Sequence, residues 1–86
     1  MNNLQIPTNE EALLIYLQNQ IRMTNGYIKG VTETLTRLEE DFNSAERREK
    51  KMEITRLIDD SRLELENYEF RLDFLQTQLE ELHNLV

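Results

Sequence analysis

The sequence predicts an all-α protein: an antiparallel two-helix hairpin, coiled-coil-like, that pairs into a four-helix bundle homodimer. Two long stretches repeat apolar residues at steps of four and three, which keeps an apolar seam on one side of each helix. The heptad phase of the first stretch does not continue into the second, so the chain is expected to turn between them. One proline and two glycines among 86 residues are typical of long helices. Residues 1–86 are therefore expected to form a single helical-hairpin domain.

The first helix is predicted to run from about residue 8 to residue 42. Thr8, followed three residues later by Glu11, suits a capping box, in which two side chains satisfy free backbone N–H groups. The seam of this helix has one polar member and consists of Leu14, Leu17, Ile21, Thr24, Ile28, Val31, Leu35, Leu38 and Phe42.

Asn25-Gly26 is the objection to a single first helix, because this dipeptide is normally a turn signal, and Gly30 adds to it. Within a helix, two glycines cost about 2 kcal/mol relative to alanine. The seam nevertheless keeps its phase across the dipeptide, which favours one helix, kinked or loosened near Gly26. A fold-back at this point, giving a three-helix bundle, is the alternative.

The second helix is predicted to run from about residue 45 to residue 85, after a tight turn at 43–44. Asn43 with Glu46 offers a second capping box there, although no glycine or proline marks the turn. The alternative is one continuous helix in a long parallel coiled coil that absorbs the phase shift. The second seam has one member that is not apolar and consists of Ile54, Ile58, Ser61, Leu65, Tyr68, Leu72, Leu75, Leu79, Leu82 and Val86.

The position of the turn fixes which residues of the two helices lie side by side. A turn at 43–44 pairs residues whose numbers sum to about 87, so Leu35 is expected to face Met52. The second helix then runs past the start of the first. Leu4 and Ile6 are expected to fold back over its last apolar residues.

Both helices carry large apolar residues outside their seams. A two-helix core of this length is marginal without assembly, so such residues predict an interface. The predicted protein-interface residues are Leu13, Tyr16, Met23, Tyr27, Leu63, Phe70 and Phe74. Few charges lie on the first helix between residues 12 and 35, which indicates that another helix covers it. A twofold homodimer is the simplest solution, and a helix of another protein would satisfy the same surface.

The charges are unevenly placed along the chain. The formal net charge is −7, with 17 acidic and 10 basic residues, which disfavours direct binding to nucleic acid. Half of the basic residues lie near the turn and form a candidate docking tip for an acidic protein or phosphate: Arg47, Arg48, Lys50, Lys51 and Arg56. A solvated face with helical pairs such as Glu46–Lys50 is the simpler interpretation.

No enzyme activity, catalytic residue or cofactor is predicted, because the chain has no cysteine and no Gly-rich phosphate loop. Glu80 and His83 have the Glu-x-x-His spacing of carboxylate-bridged dimetal bundles. They flank the seam near a helix end, so no metal site is predicted. No apolar run approaches the roughly 20 residues of a membrane span, and residues 1–7 do not resemble a signal peptide. A cytoplasmic protein with no membrane partner is therefore expected.

The leading functional hypothesis is a non-enzymatic protein–protein interaction module acting through helix-face packing. Such a module would be a small adaptor, scaffold, assembly chaperone or inhibitor. Its expected partners are a second copy, with a dimer favoured, and an unidentified further protein. The alternative hypothesis is an acidic inhibitor that mimics nucleic acid and occupies the binding cleft of a DNA- or RNA-binding protein.

Overall fold

A computed structural model of the chain describes residues 8–85, which form two α-helices. Helix α1 spans Asn9–Ser44 and helix α2 spans Arg48–Leu85. The helices pack side by side and run in opposite directions, within extents of 68 × 28 × 13 Å. The smallest extent is that of a single layer of helices, since one helix with its side chains is about 10–12 Å wide. The predicted all-α hairpin is confirmed.

Helix α1 begins at the residue that the sequence indicates. The Thr8 hydroxyl oxygen accepts a hydrogen bond from the backbone N–H of Glu11 at 3.1 Å. The backbone N–H of Ala12 donates to the Thr8 carbonyl at 2.9 Å, which closes the first helical turn. Glu10 and Glu11 place negative charge at the positive end of the helix dipole.

Helix α1 continues without interruption through Asn25-Gly26, so neither a turn nor a fold-back occurs there. Neither Gly26 nor Gly30 has a positive φ, and both follow the helical path. The seam on either side of the dipeptide packs on the same partner helix. That packing outweighs the local turn preference of the dipeptide.

The predicted turn at 43–44 is wrong, because Asn43 and Ser44 form the last residues of α1. The chain leaves the helix at Ala45, whose backbone is extended and whose N–H donates to the Phe42 carbonyl at 3.3 Å. Phe42 and Ala45 both pack against the buried cluster nearest the connection, which holds this turn in helical form. Helix α2 begins at Arg48, so residues 45–47 make the connection.

The later connection also shifts the register between the helices. Gln20 contacts Arg71, and Tyr27 contacts Tyr68, so facing residues have numbers that sum to 91 and 95. These sums agree with a connection centred on residue 46 and not with one at 43–44.

The expected contact between Leu35 and Met52 is accordingly wrong. Leu35 lies in a buried cluster with Ile54 and Ile58, whereas Met52 is 62% exposed. Ile54 therefore takes the place that the sequence analysis assigned to Met52.

The interior consists of two apolar clusters along one seam. The cluster near the connection is built on Val31, Leu35, Ile54 and Ile58, and the cluster near the free ends is built on Leu17, Leu75 and Leu82. Thr24 lies between them along α1 and is 1% exposed. Its hydroxyl donates to the Gln20 carbonyl at 2.7 Å, so the buried oxygen keeps a partner.

Other threonines make the same bond to the carbonyl four residues earlier in their own helix. They are Thr32, Thr34, Thr36, Thr55 and Thr77, at distances of 2.8 to 3.1 Å. The expected cover by Leu4 and Ile6, and the seam position of Val86, lie outside the described residues.

Replacing Leu17 by alanine is expected to lower the free energy of unfolding by about 2–5 kcal/mol, because a cavity would open in the seam. The side chain of Leu17 is 3% exposed. Ile15→Ala is the control, since Ile15 is 52% exposed, and a change within about 0.5 kcal/mol is expected. Urea denaturation followed by circular dichroism at one protein concentration measures both. Equal losses would contradict the placement of Leu17 in the seam.

Replacing Gly26 by alanine is expected to stabilise an isolated hairpin by about 1 kcal/mol, because alanine is the better helix former. A methyl group added at Gly26 meets no other atom within 4 Å. The thermal midpoint measured at low protein concentration reports the change. A lower midpoint would indicate that Gly26 adopts a turn conformation that only glycine tolerates.

Candidate protein-interaction faces

The hairpin leaves many large apolar side chains exposed, because each helix is covered by the other along one side only. Those exposed among the described residues are Leu13, Ile15, Tyr16, Met23, Tyr27, Met52, Leu57, Leu63, Phe70, Phe74 and Leu85. All seven residues predicted to form an interface belong to this set. Their exposure makes them available to a partner, and their role in binding stays a prediction.

One broad side of the hairpin is identified by two contacts between the helices. The guanidinium of Arg71 donates a hydrogen bond to the side-chain oxygen of Gln20 at 3.0 Å. The rings of Tyr27 and Tyr68 are stacked, with centroids 5.3 Å apart and planes at 24°. Leu13, Gln20 and Tyr27 follow at intervals of seven and share one line along α1. That line therefore faces the same side as Arg71 and Tyr68.

We call this side the groove face. Tyr16 and Met23 follow three residues after Leu13 and Gln20, so they lie on the adjoining line. The charged residues of α1 between positions 12 and 35 lie elsewhere on the helix. Arg22 and Lys29 directly follow seam residues, so they lie on the flank of the seam away from the groove face. Glu33 lies on the side of α1 opposite the seam. The groove face of α1 is therefore free of charge from Leu13 to Thr34.

A shallow groove of about 340 Å³ runs between the helices on this face. Gly26 and Gly30 contribute no side chains to its wall, and an added Cβ atom at either would meet open space. Across the groove lies Ser61, the small member of the α2 seam. The groove thus arises where small residues of both helices meet. Glu64 places a carboxylate on the α2 side of the groove.

Leu63 and Phe70 lie on a different surface, which we call the outer ridge. Each lies midway between two seam residues, two positions from both. A step of two residues corresponds to a rotation of about 200° around the helix axis. They therefore lie on the side of α2 opposite the seam, and Phe70 is 78% exposed. Phe74, four residues after Phe70 and three after Arg71, lies between the outer ridge and the groove face.

The second broad side of the hairpin is rich in carboxylates, and we call it the acidic face. Asp59, Glu66, Asp73 and Glu80 recur at intervals of seven and are all exposed. A second groove opens on this side between the helices near the connection, and it is lined by Asp59 and Arg62 among others. The acidic face also carries basic residues such as Arg62, whereas the α1 part of the groove face is uncharged over the range given above.

The basic residues near the connection do not form one patch. Arg47 lies in the connection, and the others begin α2, where consecutive positions point in different directions. Lys50 lies 3.8 Å from Glu53, the one ion pair found within residues 8–85, and Lys51 lies 5.4 Å from the centre of the Phe42 ring. Arg48 and Arg56 are exposed. The docking-tip role of these residues stays a prediction, and the expected Glu46–Lys50 pair is replaced by Lys50–Glu53.

Glu80 and His83 are not joined by a third ligand. No group of three residues able to hold a metal ion occurs among the described residues. Neither described helix is long and apolar enough to cross a membrane.

Comparison of the chain with models of protein families, with curated proteins and with solved structures finds no match. The exposed faces of the hairpin are therefore the features that bear on function.

The groove is the feature that sequence reasoning missed. In the sequence, Gly26 and Gly30 indicate a turn, and Ser61 is an exception in the seam. Their spacing contained the relevant information, because two glycines four residues apart leave one side of a helix bare. The level at which Ser61 meets α1 depends on the register between the helices. The predicted turn at 43–44 lies too early in the chain and gives the wrong register.

Proposed function

We propose that the chain is a non-enzymatic protein-interaction module that pairs with a second copy to form a four-helix bundle. It would then bind a further protein through the outer ridge of α2, as a small adaptor, scaffold, assembly chaperone or inhibitor. The observation that carries this proposal is the single helical layer with large apolar side chains exposed on the groove face and on the outer ridge.

Energetics favour covering the groove face. A large apolar side chain that becomes fully buried gains about 1.5–3 kcal/mol, and Leu13, Tyr16, Met23 and Tyr27 are each about half exposed. A stable interface needs about 800 Å² from each partner. The accessible surface of the chain is 7226 Å², so one broad face is large enough to supply that area.

The position of the outer ridge supports a second partner. Leu63 and Phe70 point away from α1, so a copy docked on the groove face would leave them exposed. An amphipathic helix of another protein could pack on this row of apolar anchors. The exposed charges beside the ridge would then contribute to specificity more than to affinity.

The acidic face supports the alternative function, which is mimicry of nucleic acid. Asp59, Glu66, Asp73 and Glu80 form a row with a repeat of about 10.5 Å along α2. A cleft that binds phosphates would attract such a row of carboxylates. The two functions use different surfaces of α2, so they can be separated by substitution.

Replacing Tyr16 by glutamate is expected to convert a dimer into a monomer, because it would bury a charge in the interface. The mass of the wild-type protein, measured by light scattering across a dilution series, is expected to be twice 10.3 kDa at high concentration. Ile15→Glu adds the same charge outside the groove face and is expected to leave the dimer intact. Helical circular dichroism checks that both variants fold. A monomer at every wild-type concentration would contradict self-association.

Capture of a partner from a lysate is expected to fail when Phe70 is replaced by glutamate and to survive about 0.5 M salt, since apolar packing is not screened. Asp73→Asn with Glu66→Gln, which neutralises part of the acidic face, is the matched variant and is expected to retain the partner. Loss of the partner with these variants and in salt, but not with Phe70→Glu, would favour mimicry of nucleic acid.

A further inference from the structure

We infer that the second copy docks on the groove face in the opposite direction, with α1 against α1 and the two connections at opposite ends. Tyr16 and Met23 of each copy then lie on either side of the level of Gly30 of the other, and Arg71 of each copy lies opposite Glu64 of the other. This inference rests on the proposed self-association and adds its face, its direction and its contacts.

The shape of the groove face favours a reversed second copy. A twofold dimer requires a surface that is complementary to itself, with each protrusion matched to a depression elsewhere on the same face. The groove centres on Gly30, and the bulky side chains of Tyr16 and Met23 lie nearer the start of α1. A twofold axis at the level of residue 25 exchanges residue 20 with residue 30 and residue 16 with residue 34. It therefore places Tyr16 of each copy opposite Thr34 of the other and Met23 opposite Tyr27, so that these two side chains bracket the bare stretch at Gly30.

The charges of α2 also favour a reversed second copy with its axis at this level. In the observed register, the level of residue 25 on α1 corresponds to about residue 68 on α2. An axis at that level brings Glu64 of each copy opposite Arg71 of the other, because both lie about the same distance from it. The contact of Arg71 with Gln20 already holds the guanidinium on the groove face. Two symmetric pairs of opposite charge would thus flank the axis.

The opposite choice of direction is less favourable. If both copies pointed the same way, α1 of each would lie on α2 of the other. The uncharged line from Leu13 to Thr34 would then cover Glu64 and Arg71 without supplying a charged partner, and burying unpaired charges is costly. The reversed dimer instead places the uncharged groove-face residues of α1 between 16 and 34 on the same residues of the other copy and sets Glu64 opposite Arg71.

A charge exchange tests the contacts. Arg71→Glu and Glu64→Arg are each expected to weaken dimerisation about tenfold, because each creates like-charge pairs at two symmetric places. The double variant is expected to recover to within about threefold of the wild type. Positions 64 and 71 are about 10.5 Å apart along one helix, too far to pair within a chain. Recovery then reports a contact with the second copy, provided that variants elsewhere on α2 with the same change of net charge leave dimerisation unchanged.

The acidic-face side of α2 supplies the matched control. Arg62 and Glu69 are also seven residues apart and exposed, and Arg62 lines the groove on the other broad side. Arg62→Glu and Glu69→Arg are expected to leave the dissociation constant unchanged, as measured by sedimentation equilibrium. Weaker dimerisation in these variants alone would overturn the choice of face.

A distance measurement tests the direction. The chain has no cysteine, so Glu46→Cys accepts a single nitroxide label at the connection. Position 46 lies 21 residues from the axis level, which places the two labels of the reversed dimer roughly 60 Å apart. Copies pointing the same way would bring them within about 30 Å in a four-helix bundle. Pulsed electron resonance separates these values.

The outcomes distinguish the inference from the proposed function. A dimer with the short distance, or one in which the double variant does not recover, overturns the arrangement and leaves self-association standing. A wild-type protein that stays monomeric overturns both. Recovery together with the long distance supports both.

Discussion

The packing of α1 against α2 along the seam is what holds the hairpin together, and it uses only one side of each helix. Two helices in a single layer leave no third element to cover the remaining sides. The seam does this with two apolar clusters separated at Thr24, each cluster joining residues distant in sequence. Every other feature follows from this arrangement, because whatever the seam does not bury must face water or another protein. The hairpin thus leaves large apolar side chains on both helices that its own seam does not cover.

The helices themselves could be predicted because long-range packing and local preference agree over most of the chain. The apolar repeat keeps its phase across Asn25-Gly26, although this dipeptide is locally a turn signal. The connection could not be placed correctly because Asn43 and Ser44 favour both the start and the end of a helix. What decides between these roles is the contact of Phe42 and Ala45 with the cluster near the connection. That contact is tertiary and depends on the register, so the error in the turn and the error at Met52 have one cause.

The candidate site was predicted in its residues but not in its shape. Exposure of Tyr16 and Phe70 follows from their distance from the seam, which can be counted along the sequence. The groove could not be foreseen, since it requires Gly30 and Ser61 to lie at the same level of two different helices. With a small error in the predicted register, Gly30 and Ser61 are no longer placed at the same level. The separation of Phe70 from the groove face, in contrast, was available from spacing alone.

The threonines of α1 change how this helix would meet a neighbour. The hydroxyls of Thr32, Thr34 and Thr36 are each engaged by a carbonyl of their own helix. Each hydroxyl oxygen still accepts hydrogen bonds, but its proton is already used, so a neighbouring molecule does not have to supply an acceptor for it. A hydropathy scale counts these side chains as polar, yet what they offer a neighbour is a methyl group and an acceptor, with no free donor.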